Sequence, residues 1–117
     1  MTTRKLEAST RVDAGVAVID LHGEINRSSE AVLGAAYADA AAGDAGTVLL
    51  NFADVAYINS TGIAVIVGFL GRARSDGRRV IACALSDHYR EIFEITRLSD
   101  FMPIYDDEAN AVAERTG

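Results

Sequence analysis

Hydrophobic and polar positions along the chain change period several times. In "GVAVIDLHGEI" Val16, Val18, Asp20 and His22 alternate with Ala17, Ile19 and Leu21, the two-residue period of a strand. The weaker alternation of "KLEASTRV" predicts a short edge strand before it, joined through the turn "DAG" and therefore antiparallel to it. "TVLLNF" and "RRVIACAL" are apolar runs without a polar face, as central strands are. "MPIY" is a last short strand. Between these lie helical stretches. "SSEAVLGAAYADAAAG" is alanine-rich, with Ser28 or Ser29 as its cap and Gly43 or Gly46 as its stop. A second helix runs from about Ser60 to Ser75 and stops at "SDG". "SDHYREIFEITRLSDF" opens on Ser86 and Asp87 and spaces Tyr89, Ile92, Phe93 and Ile95 or Thr96 helically. "DDEANAVAERT" is a short helix with an acidic start. Strands alternating with helices imply parallel crossovers. The expected fold is α/β, one domain over residues 1–117, with a mixed, mostly parallel sheet of four or five strands and about four flanking helices.

The second helix carries the most chemistry. At ~100° per residue, Ile63, Ile66, Phe69, Leu70 and Ala73 share one side, the face expected against the sheet. The other side holds Ala64, Gly68, Gly71 and Ser75, with Ser60 in line one turn before Ala64 and Val67 alongside. Each glycine inside a helix costs ~1 kcal/mol relative to alanine. Two of them suit close approach by another surface, either a partner or a neighbouring helix of the same domain. Ser60 and Asn59 lie at the N-terminus of the helix, where free amide donors and a partial positive charge favour an anion. A phosphoryl group there would suit its own chain and would put charge into an apolar partner surface.

The net charge of −6 argues against direct nucleic-acid binding, which needs Lys and Arg for the phosphates. Arg72, Arg74, Arg78 and Arg79 read as the cationic end of the helix and its turn. Cys83, the only cysteine, lies in an apolar run and fits a reducing cytoplasm. No stretch of "MTTRKLEAST" suits a signal peptide, and no segment reaches the ~18 apolar residues of a membrane span. The two histidines and one cysteine have no metal-ligand spacing, no phosphate-loop motif occurs, and no cofactor is expected. A serine nucleophile at Ser60 would need His22 or His88 as its base, and no nucleophile-elbow motif surrounds it. Asp106, Asp107 and Glu108 read as a helix start, Arg97 and Arg27 as solvated, and Tyr37 and Tyr89 as half-buried with wet hydroxyls.

With these residues in view, the chain resembles the STAS family, and within it the bacterial anti-anti-sigma factors. "VAVIDLHGEIN" looks like the family's second strand and its GE-hydrophobic-D turn. "TVLLNFADVAYINSTGIAVIVGFL" looks like its third strand and its phosphorylation motif. "RRVIACALSDHYREIFEITRL" looks like its fourth strand and third helix. The resemblance implies a binding domain and no enzyme. It would bind an anti-sigma factor of the serine-kinase type, releasing a sigma factor, and be switched off by phosphorylation of Ser60 and restored by a phosphatase. Thr61 is the lesser acceptor. The docking surface would comprise Glu24, Asn26, Arg27, Asn59, Thr61, Gly62, Ala64, Val67, Gly68 and Gly71. Asn59 and Asn26 stand where the family carries aspartates, which removes two negative charges near the phosphosite. The alternative is a STAS scaffold or ligand-sensing module of a stress-signalling complex, outside the reach of a conventional kinase. The apolar helix face could also serve a homodimer.

Overall fold

The computed structural model describes residues 4–116, and the side chains of residues 4–113. Met1–Thr3 and Gly117, part of the single domain expected from the sequence, lie outside the described residues. Five strands form one sheet in chain order: β1 (Glu7–Asp13), β2 (Val16–Ile25), β3 (Thr47–Ile58), β4 (Arg79–Cys83) and β5 (Ile104–Tyr105). The first pair is antiparallel and the rest are parallel. The hairpin turn between β1 and β2 places Ala14 and Gly15 at positive φ, the geometry that suits the twist of a tight hairpin. The helices are α1 (Glu30–Ala41), α2 (Ser60–Ser75), α3 (Asp87–Ile95) and α4 (Glu108–Thr116).

Because the parallel strands step in one direction, right-handed crossovers put α1, α2 and α3 on the same face. There Ala17, Ile19 and Leu21 of β2 and Val48, Leu50 and Phe52 of β3 pack against Tyr37, Phe69 and Phe93. Their chain neighbours Val16, Val18 and Leu49 point the other way. With Ile81 and Cys83 they are covered by Ala111 and Val112 of α4. Burial on both faces is why these strands show little polar alternation.

The structure corrects the sequence reading in several places. β3 continues six residues past "TVLLNF", to Ile58. Its far half pairs with β2 across two register shifts, which break the side-chain alternation that would have marked it as strand. The first helix is preceded by a 3-10 turn over Arg27–Ser29, capped by Asn26. Ser29 makes no side-chain cap for α1; its Oγ instead accepts from the Asn26 amide at 3.0 Å. Tyr37 and Tyr89 are buried rather than wet. The Tyr37 hydroxyl donates to Asp76 Oδ2 at 2.6 Å, and the Tyr89 hydroxyl accepts from the Ile58 amide at 3.0 Å. Ile95, placed on the apolar face of its helix, is 73% exposed.

Candidate functional site

Two chain reversals meet at one end of the sheet. After β2, Gly23 takes φ +110° with its missing side chain over the Lys5 carbonyl, where a Cβ would stand 2.6 Å from the oxygen. The Glu24 amide donates to the Arg4 carbonyl at 3.0 Å, fixing the corner. Asn26 Oδ1 accepts from the Ser28 amide and hydroxyl at 2.9 and 2.6 Å. The Ser29 hydroxyl donates to the Glu24 carbonyl at 3.3 Å. After β3, Asn59 is extended and caps α2, its Oδ1 accepting from the Gly62 amide at 2.8 Å and the Thr61 hydroxyl at 2.7 Å.

The two reversals are in contact. The Asn59 amide donates to the Ile25 carbonyl at 3.2 Å. A Cβ on Gly62 would stand 2.1 Å from that same oxygen, closer than any side chain can come. Gly62 is therefore buried between the turn and the helix and presents nothing to a partner, which corrects its place in the expected docking surface. It brings Asn26 and Arg27 against the first turn of α2.

The remaining expected residues lie as follows. Ser60, Thr61, Arg27, Ala64, Val67, Gly68 and Gly71 are exposed; Glu24, Asn26 and Asn59 are half-buried. Ile66, Phe69, Leu70 and Ala73 of α2 face the core, so the flank from Ser60 to Gly71 is left bare. A Cβ added to Gly68 or Gly71 meets nothing within 4 Å, so neither glycine is required by a contact with a neighbouring helix. Ser60 and Thr61 differ in state. The Thr61 hydroxyl is engaged by Asn59, whereas that of Ser60 has no hydrogen bond among the described residues. The first turn of α2 contains no acidic residue, and both neighbouring caps are neutral amides.

Tyr57, 52% exposed and opposite Glu24 in the β2–β3 register, was missed at this end of the sheet. Its signal would have been an aromatic residue just before the Asn59 cap, but the unrecognised far half of β3 hid it. His22 is engaged by Asp54: its Nδ1 is 3.1 Å from Asp54 Oδ2, and among the described residues no hydrogen bond connects it to Ser60. His88 packs against Tyr89. The acidic cluster at α4 is engaged: Asp106 accepts from Arg90, Asp107 from the Asn110 amide, and Glu108 from Arg11. Arg97 pairs with Asp100. Among the described residues no group of three metal-ligating side chains gathers, and no helix is long and apolar enough to cross a membrane.

These features define a small α/β domain that offers a helix start, the adjoining strand-end turn and a bare helix flank. The model of the STAS domain matches residues 7–111, and the chain belongs to that family. An anti-sigma F factor antagonist of Paenibacillus polymyxa is 27% identical over 67 residues, 57% of each chain. The chain spans about half the length of the curated relatives it matches. An anti-sigma-factor antagonist (STAS) domain protein from Planctomyces limnophilus superposes with a TM-score of 0.78 at 19% identity, over 95% of this chain and 99% of that one. The Bacillus cell fate determinant SpoIIAA in its phosphorylated form gives 0.63 at 21%, over 92% and 97%. At these identities the structural likenesses establish the fold.

Proposed function

We propose that this domain is an anti-sigma factor antagonist. Unmodified, it docks onto an anti-sigma factor of the ATP-binding serine-kinase type and so releases a sigma factor. Phosphate on Ser60 ends the docking, and a phosphatase restores it. The reading is of a binding module rather than an enzyme. The names of the relatives support the first part. The observation that carries the switch is the Ser60 hydroxyl, exposed and without a hydrogen bond among the described residues, at the first position of α2 in line with a strip of small exposed side chains. SpoIIAA, which shares the fold, has been solved in a phosphorylated form.

The chemistry is local. A phosphoserine carries about −1.5 to −2 charges at neutral pH. At the start of α2 these face the helix's positive end and the unshared amides of Ser60 and Thr61. With amides in place of carboxylates at Asn59 and Asn26, the modified state meets little repulsion within its own chain. The same charge, with its water, sits where a partner must lie flat on Ala64, Val67 and Gly68. A second reading, a STAS module that senses a small ligand, draws support from the groove described below.

The test is incubation of the domain with ATP and a serine-kinase anti-sigma factor from its own genome, followed by peptide mass spectrometry. Phosphate is expected on Ser60, lost in Ser60→Ala and kept in Thr61→Val. Ser60→Glu should weaken binding to that anti-sigma factor about tenfold or more, equivalent to ~1.4 kcal/mol, with an almost unchanged melting temperature. Binding by Ser60→Glu as tight as that of the unmodified protein would refute the switch.

A further inference from the structure

A concavity lies at the other end of α2, away from Ser60. It is a groove of about 430 Å³ between the C-terminal half of α2 and the 3-10 turn Leu98–Asp100 that follows α3. Its size falls within the ~300–1,000 Å³ of small-molecule sites. The floor is Leu70, Val80 and Leu98, all nearly buried. Two large apolar side chains form its walls and remain uncovered, Val67 at 48% and Phe101 at 59% exposed.

The rim is cationic. The Arg74 guanidinium stands over the Phe101 ring, 5.6 Å from its centroid. Neither Arg74 nor Arg79 has a carboxylate partner among the described residues. Asp100, also on the rim, accepts from Arg97 Nε at 3.0 Å, so its charge is answered within its own turn. In a chain of net charge −6, two guanidiniums without counter-charges beside an apolar trough make a local field of opposite sign. Apolar walls suit an aliphatic or aromatic tail, and guanidinium forks suit an oxyanion head, of which a carboxylate is the smallest planar case.

We propose that this groove binds a small amphipathic anion, an aliphatic or aromatic tail bearing one carboxylate, with the tail on Leu70, Leu98 and Phe101 and the head between Arg74 and Arg79. Binding in the groove does not require Ser60 to be modified. Val67 and Gly71 belong both to this groove and to the bare flank of α2, so an occupied groove covers part of the flank.

The probe is decanoate, titrated into the ¹⁵N-labelled domain and followed by amide chemical shifts, with acetate and decyltrimethylammonium as controls. Saturable shifts confined to Val67–Gly71, Val80 and Leu98–Phe101 are expected with decanoate and absent with either control. Joint replacement Arg74→Gln and Arg79→Gln should raise the dissociation constant by about tenfold or more. Gly71→Leu fills the trough from a position where an added Cβ meets nothing, so it should fold normally and lose decanoate binding. Unsaturable or scattered shifts overturn the proposal, as does equal binding of the cationic control or undiminished binding by a folded Gly71→Leu. Shifts of the same residues on concentrating the domain alone would make the occupant a second copy. Shifts there only with the anti-sigma factor would make it that partner; either result overturns the small-anion assignment.

Discussion

Gly62 and Ser60 are two residues apart and do opposite things. Gly62 is fixed by sterics: a methyl group there would meet the Ile25 carbonyl at 2.1 Å. Gly62→Ala must push the β2 turn away from α2 or break the Asn59 cap. The expected cost is ~2 kcal/mol, within the range for overpacked sites, read as a lower urea midpoint with an unchanged slope. A change below ~0.5 kcal/mol, typical of an unconstrained surface position, would show that the turn and helix are not so closely joined. The Ser60 hydroxyl, by contrast, is exposed and has no hydrogen bond among the described residues, so no contact there opposes a change of its charge. Sequence alone led to Ser60 because a cap and a helical stripe are local. It did not reveal the role of Gly62, which depends on a carbonyl 37 positions earlier in the chain. The buried hydroxyl contacts of Tyr37 and Tyr89 escaped notice for the same reason: Asp76 and Ile58 are brought to them only by the fold.

At the level of the element, α2 is two helices in one. Its inner face, Ile66, Phe69, Leu70 and Ala73, is held by the core. Its outer face contains two glycines that no contact among the described residues requires, despite their cost to helix stability. Gly68→Leu should therefore leave folding intact or raise stability by ~0.5–1 kcal/mol through helix propensity. It should also weaken docking to the anti-sigma factor by at least about tenfold (~1.4 kcal/mol). Thermal melts and a binding isotherm on the same sample decide it; a loss of stability would mean the flank belongs to the core. The helix stripe was legible because a regular period of 3.6 needs no partner to be seen. β3 was only half legible. Its outer half owes its strand character to irregular pairing with β2, which no local pattern encodes.

At the scale of the whole molecule, one polar contact ties together segments from near the two ends of the chain. Arg11 of β1 donates to both Asp20 oxygens, at 2.7 and 3.1 Å, and to both Glu108 oxygens at the start of α4. Asn51 Nδ2 adds a bond to Asp20 at 3.1 Å. Hydrogen bonds from Arg11 are the main cause, and a bond shared with Asp13 the next, that hold the Glu108 carboxyl down from 4.5 to about 2. A lowered carboxyl contributes stability above its unfolded value, and that contribution fades as the pH falls from about 4.5 toward 2. Asp13 works against this: its bond to Glu108 raises its own carboxyl, so the folded state holds that proton more firmly. Arg11 is 44% exposed and water screens the pair, so the net loss should stay near ~1 kcal/mol. Unfolding across that window should show a steeper decline in the unmodified protein than in Glu108→Gln; equal slopes would mean the pair does not couple α4 to the sheet. Element order was readable from the sequence because turns punctuate it. A guanidinium meeting a carboxylate 97 positions away was not.

Cys83 lies fully covered beneath α4, its thiol pushed up to about 12 chiefly by burial. That makes the single thiol a built-in clock for the second layer. A thiol-directed dye can react only while the layer stands open, so the labelling rate counts how often the terminal helix lifts. Cutting the Arg11 tether should make the clock run faster, while rebuilding the Ser60 end of the domain should leave it on time.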